Sequence, residues 1–225
     1  EYYLRGVVPS EMPRDWPMEA LKTQAVISRT YALYQKKENQ NKEHDLPASV
    51  LGQVYKGESA SHHRTDQAIM ETNDIVATYD GALALTFFHS TSAGHTEDAQ
   101  ERWGIDLPYL KGVSCPFDRD SPYYQWERSI PLSDLEEAMA KNGVKTISTL
   151  TPFQYSRAGR ILNVRILHQG GETFFKAEGL RRLLGYRTLP STNFRISSFG
   201  KRLKISGMGW GHGVGLCQYG TKVLA

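Results

Sequence analysis

Glu11 stands in apolar company: Val7, Val8 and Pro9 precede it, and Met12, Pro13 and Trp16 follow. A carboxyl group in such a pocket loses hydration, its pKa rises, and it can stay a proton donor near neutral pH. The plainer role for Glu11 is to cap or pair near the start of the next helix. Farther on, His89 and His95 flank Ser90-Thr91-Ser92-Ala93-Gly94, with Glu97, Asp98 and Glu101 close behind. Two imidazoles and a carboxylate suit Zn²⁺ or a similar ion, so His89, His95 and Glu101 are candidate ligands. The same loop could equally use its histidines to bond substrate or backbone. Trp210 and His212 lie in a third segment, Gly209-Trp210-Gly211-His212-Gly213-Val214-Gly215. Its glycines allow positive φ or close approach of backbone to a ligand, and the indole offers an apolar face for stacking. The spacing is not that of a phosphate-cradling P-loop, which argues against nucleotide binding; a structural turn is the alternative. Cys115 and Cys217 lack a CxxC neighbour. A Cys–His nucleophile would need one of them beside His89, His95 or His212, whereas a disulfide or two buried thiols ask for less.

The elements that must position these groups are read from periodicity. Residues 4–9 read as a short extended segment ending at Pro9, followed by a loop. Pro17 suits a first helical position, and Met18, Leu21, Ala25, Ser28 and Ala32 then recur at helical spacing to about Lys37. Gln24, Ser28 and Tyr31 fall close to one face of that helix, where they could meet a ligand. A loop to Asp45, a short strand over 50–56 and a helix over Arg64–Glu71 come next. Asp80-Gly81 between apolar runs predicts a hairpin within 74–89. Ser90–Ser121 is long for a bland connection, which favours a functional loop. Beyond it the pattern predicts a strand over 123–130, a helix over Pro131–Lys141 and a hairpin at Ala158-Gly159. A helix over Glu178–Leu184, strands over 193–199 and 202–206, and a helix over Leu216–Ala225 complete the chain. Helices and strands mix without βαβ alternation, so the class is α+β. The 225 residues, 40% of them hydrophobic, suffice for one large domain or two small ones. The net charge of +3 fits an anionic polymer as well as plain solubility. No run is apolar enough to span a bilayer, and the start carries no signal-peptide pattern.

Four groups of segments, in order, resemble the stage II sporulation protein D / amidase-enhancer family. They are Tyr3–Pro13 with Trp16–Val26 and Ser28–Ala32; Phe88–Glu97; Leu107-Pro108-Tyr109-Leu110; and Gly209–Gly220. The resemblance implies mixed helices and short antiparallel strands around a substrate cleft. Residues 1–120 and 190–225 would form a discontinuous core, and 121–189 an inserted α/β lobe. It implies a lytic transglycosylase that cleaves the MurNAc–GlcNAc bond of denuded peptidoglycan strands to 1,6-anhydro ends. Glu11 would be the acid and base. Gln24, Ser28, Arg29, Tyr31, Ser90, Ser92, Trp210, His212 and Gln218 would contact substrate. The alternative is a non-catalytic wall-binding enhancer of an N-acetylmuramoyl-L-alanine amidase, and a third reading is a metal-dependent hydrolase using His89 and His95. Some relatives resemble zinc proteins; here His89 matches the family His, His95 stands where a Cys is expected, and Glu101 lies near the third position. The transglycosylase reading itself requires no cofactor. Expected partners are glycan strands and a wall amidase, not nucleic acid. The expected location is extracytoplasmic, with any membrane anchor outside these residues.

Overall fold

The first residues wind into a helix, Tyr2–Glu11, where the sequence predicts an extended segment. Val7, Val8 and Pro9 favour extended backbone locally, but the helix buries Leu4, Gly6, Val7 and Val8. Leu4 and Val8 pack with Ala25 and Ile69. Tertiary burial outweighs a propensity difference of a few tenths of a kcal/mol per residue. Gly6 is required by close approach, because a Cβ there would lie 2.3 Å from the Tyr55 ring.

The computed structural model describes residues 1–49 and 52–225. They form two compact units, Glu1–Phe88 with Gln218–Ala225, and His89–Cys217. In the first, the long helix runs Met18–Glu38, with Pro17 just outside it as the N-cap residue. Its apolar side joins Met12, Trp16 and Ala68 in a small core around Ala20 and Leu21. Arg29 staples this unit: its guanidinium binds both carboxylate oxygens of Glu1 at 2.9 and 2.8 Å and the carbonyls of Ile69 and Ile75 at 3.2 and 3.1 Å. The expected second helix is His63–Glu71. The predicted hairpin pairs Thr78–Tyr79 with Ala82–Leu83. Asp80 and Gly81 both take positive φ, 49° and 77°, as a two-residue turn of this kind demands. The strand expected over 50–56 falls partly outside the described residues, and 52–56 has no strand. The helix Gln218–Leu224 completes the unit, two residues later than predicted.

The second unit is built on two antiparallel three-stranded sheets. In one, Arg202–Met208 lies between Phe194–Ser198 and Gln125–Pro131. In the other, Ile161–His168 lies between Ile147–Tyr155 and Gly171–Lys176. The sequence does not predict the last of these strands, because its two aromatic residues, Phe174 and Phe175, are adjacent and show no period-two alternation. Helices Leu132–Ala140 and Ala177–Leu184 contribute Leu135, Met139, Ala177 and Leu180 to the same core as Ile161, Val164 and Ile166. Within 90–121 the backbone is ordered by a short pairing of Gly94–His95 with Ser114–Cys115 and by the helix Ala99–Trp103, capped by the Asp98 side chain. The class is α+β, as the sequence implies. Among the described residues no helix is long and apolar enough to cross a membrane.

Candidate functional site

Glu11 is the last residue of its helix, and the chain leaves at Met12 in extended conformation. The carboxylate accepts from the Val54 amide at 2.6 Å through Oε1. Burial pushes its pKa up to about 6, against the smaller opposing pulls of the Val54 N–H and the Lys56 charge. Glu11 does not cap the next helix, whose N-cap carries no side-chain hydrogen bond. Behind it runs a chain of amides. Gln218 Nε2 donates to the Glu11 carbonyl at 3.0 Å and to Gln24 Oε1 at 3.1 Å. Gln24 Nε2 donates to Ser28 Oγ at 2.9 Å. Gln53 Nε2 donates to the Ser28 carbonyl at 3.0 Å, and the Tyr3 hydroxyl to Gln53 Oε1 at 3.0 Å. Burial and the nearby Glu11 charge push the Tyr3 phenol up to about 12.

This changes the roles read from the sequence. Gln24, Ser28 and Gln218 are buried, and hydrogen bonds run from Gln218 to Gln24 and from Gln24 to Ser28, so these groups brace the Glu11 segment. Arg29 is spent on the staple, and Tyr31 is buried with its ring 5.9 Å from that of Phe87. The sequence assigns no site role to Tyr3, Gln53 or Val54, whose one local signal is a Gln in a short apolar run. Gln24→Leu strands the Gln218 amide and the Ser28 hydroxyl, and should cost ~1–3 kcal/mol. Urea unfolding checks this, and an unchanged midpoint would remove the network from the account.

In the second unit His89 is buried, with Nδ1 3.1 Å from the Val214 carbonyl. Nδ1 therefore donates, which leaves Nε2 an acceptor, buried and without a hydrogen-bond partner. Burial pulls the imidazole down to about 3, with the Arg160 charge acting in the same direction, so the ring is neutral. His95 is exposed and turns Nδ1 to the Thr96 carbonyl at 2.7 Å. Glu101 accepts from the Arg157 amide at 2.7 Å and pairs with its guanidinium at 2.9 Å. Hydrogen bonds at Nδ1 would leave either Nε2 able to ligate, but among the described residues the ligand atoms of His89, His95 and Glu101 do not converge within 4.8 Å, so this set does not fit a metal ion. Among the described residues, the one set of three whose ligand atoms lie within 4.8 Å of one another is Cys115, Asp118 and Cys217.

A domain model described as stage II sporulation protein matches residues 1–79, the stretch that carries Glu11, Gln24, Ser28 and Gln53. A second model, a domain of unknown function, matches residues 109–215. An uncharacterized protein of Brachyspira hyodysenteriae is 35% identical over the whole chain, which spans 61% of that protein. Stage II sporulation protein D of Bacillus subtilis is 31% identical over the whole chain, which spans 68% of it. The chain belongs to the stage II sporulation protein D family. The amidase enhancer of Bacillus subtilis is 28% identical over 99% of the chain, which spans 37% of that protein.

In this family member the Ser-Thr-Ser loop and the Gly-rich loop are joined backbone to backbone, Thr91 pairing with Trp210 and Glu97 with Val214. Ser92 is buried and gives both its amide and its hydroxyl to Asp118, at 2.6 and 2.7 Å; Ser90 lies 3.3 Å from the Thr91 hydroxyl. Ser92 thus uses both its donors to fix the loop on Asp118. Trp210 is half-buried against the Tyr123 ring, 4.6 Å away. His212 accepts the Val214 amide on Nδ1 at 3.1 Å, and burial holds its pKa well below the usual value. Arg160 was missed entirely. Fully buried, it donates to the carbonyls of Ser92 at 3.1 Å and Gly211 at 3.3 Å, with Glu97 4.0 Å from Nε. Gly213, at φ 89°, makes room for it: a Cβ there would sit 2.7 Å from the guanidinium.

Proposed function

We propose that this protein is a lytic transglycosylase of the bacterial cell wall, working outside the cytoplasm on peptidoglycan glycan strands. The observation that carries the reading is Glu11, a carboxyl group raised to about 6 by burial. Among the described residues no second carboxylate contributes to that shift. Hydrolysis by the usual route needs two carboxylates, one for the leaving group and one for water or the sugar. A lytic cleavage needs one. Oε1 is occupied by the Val54 amide, so the neutral acid presents its proton from Oε2. That proton passes to the glycosidic oxygen as the MurNAc C1–O bond breaks. The sugar's own C6 hydroxyl then bonds to C1 and returns its proton to Glu11. The acid is regenerated, no water is consumed, and the product carries a 1,6-anhydro ring.

Incubation with amidase-treated glycan strands, read by mass spectrometry, tests this. The expected products are one water lighter than those of hydrolysis. Products of hydrolytic mass would overturn the mechanism. The match to an amidase enhancer over nearly the whole chain favours a second reading, a wall-binding partner of an amidase. That reading predicts no cleavage by the protein alone and faster stem-peptide release when an amidase is added.

A further inference from the structure

We propose that Cys115, Asp118 and Cys217 form a binding site for a thiophilic divalent cation, Zn²⁺ by preference. This is independent of the Glu11 chemistry. All three residues are buried, and one ligand atom from each lies within 4.8 Å of the other two. The cysteines carry thiols, not a disulfide. Cys115 and Asp118 are separated by two residues across the tight turn Pro116–Asp118, the short spacing by which zinc knuckles present two ligands from one loop. Cys217 arrives from the far end of the Gly-rich loop, as the third ligand of a zinc site usually does from a distant segment. Its sulfur is 3.3 Å from Asp118 Oδ2. In a tetrahedral site with Zn–S of about 2.3 Å and Zn–O of about 2.0 Å, the sulfur and oxygen ligands stand about 3.5 Å apart.

The surroundings of Asp118 are those of an oriented ligand. Its carboxylate is held by the amides of Ser92, Ala93 and Gly94 at 2.6, 2.8 and 3.3 Å. Ligating carboxylates are typically fixed by such an outer layer of donors. Two sulfurs and one oxygen select Zn²⁺ over Mg²⁺ or Ca²⁺, which prefer all-oxygen shells. The ion would tie together the 92–94 loop, the turn at 115–118 and the end of the Gly-rich loop, three segments already joined by hydrogen bonds to Asp118.

The test uses the purified, fully reduced, metal-free protein and Co²⁺ as a spectroscopic probe. The expected result is a thiolate-to-cobalt charge-transfer band that saturates at one ion per chain and is displaced by Zn²⁺. Cys115→Ser and Cys217→Ser should each weaken Zn²⁺ binding by at least ~100-fold, since loss of even an outer-layer partner costs roughly 10–100-fold. Three results would overturn the proposal. The first is no band in wild type while both thiols react fully after unfolding, a measurement that needs no variant to fold. The second is undiminished Zn²⁺ binding in the double Ser variant. The third is a metal-free protein purified two hydrogens lighter, with the cysteines joined as a disulfide.

Discussion

Glu11→Gln is expected to lower cleavage of denuded glycan strands by about 10²–10⁴-fold, the usual contribution of a positioned acid–base group. The amide keeps an oxygen for the Val54 N–H, so the helix end should not move, but it has no proton to give. The wild-type rate has its own signature. The acid must be protonated at the start of the reaction, so kcat/KM should fall as pH rises through about 6, where Glu11 titrates. Stability moves in the same sense. A carboxyl group whose folded pKa exceeds its unfolded value stabilises fully below the unfolded value, and that contribution is lost as pH rises through the folded one. From 4.5 to about 6, at ~1.4 kcal/mol per unit, the difference is about 2 kcal/mol. Glu11→Gln should therefore be slower by that factor yet more stable than wild type at pH 8, and no more stable at pH 4. Comparable turnover by a folded Glu11→Gln protein would end the mechanism; an inactive wild type that still binds glycan would shift the balance to the amidase-enhancer reading.

Arg160→Met should be the most destabilising single change in the second unit, by about 3–5 kcal/mol, the cost of removing one member of a buried ion pair. Arg160 and Glu97 are each about 1% exposed. Without the guanidinium, Glu97 keeps the Ser156 hydroxyl, at 2.8 Å, an amide bond from Asp98 at 3.2 Å and the weaker pull of the Arg102 charge. The carbonyls of Ser92 and Gly211 lose a donor at the same time. Burial already raises the Glu97 pKa despite the arginine, so the charge is poorly compensated even in the native pair. Adding Glu97→Gln to Arg160→Met should recover part of the loss. Urea unfolding of the two single variants and the double variant measures this coupling. A loss below ~1 kcal/mol for Arg160→Met would mean that water reaches the site and replaces the guanidinium.

Local signals carried the sequence reading where they were strong. The Met18–Glu38 helix, the Asp80-Gly81 turn and the Ala158-Gly159 hairpin follow from periodicity and turn chemistry and needed nothing distant. Residues 4–9 failed because Val-Val-Pro is locally extended while its burial partners, Ala25 and Ile69, lie far along the chain. Glu11 could be singled out from its apolar neighbours. The purpose of Gln24 and Ser28 could not, since an amide and a hydroxyl one helical turn apart look alike whether they face a sugar or each other. Arg160 was illegible because its acceptors come from residues 92 and 211, and a basic residue after a turn is ordinarily solvated. His89 and His95 share a loop in sequence, but six positions along an irregular backbone do not fix where two rings go, and their ligand atoms do not converge with that of Glu101 among the described residues.

The hydrogen bond from Gln218 to the Glu11 carbonyl spans 207 positions of sequence, and it imposes an order of events on synthesis. A ribosome must make the whole stretch between Glu11 and Gln218 before the amide that braces the acid exists. Pairings of such long separation also come late in folding, because loop closure must precede them. Until residue 218 has emerged and docked, Gln24 lacks its donor and the Glu11 segment lacks its rear support. A chain stopped or clipped before residue 218 would therefore lack this brace, so the acid is supported only once that later segment has docked.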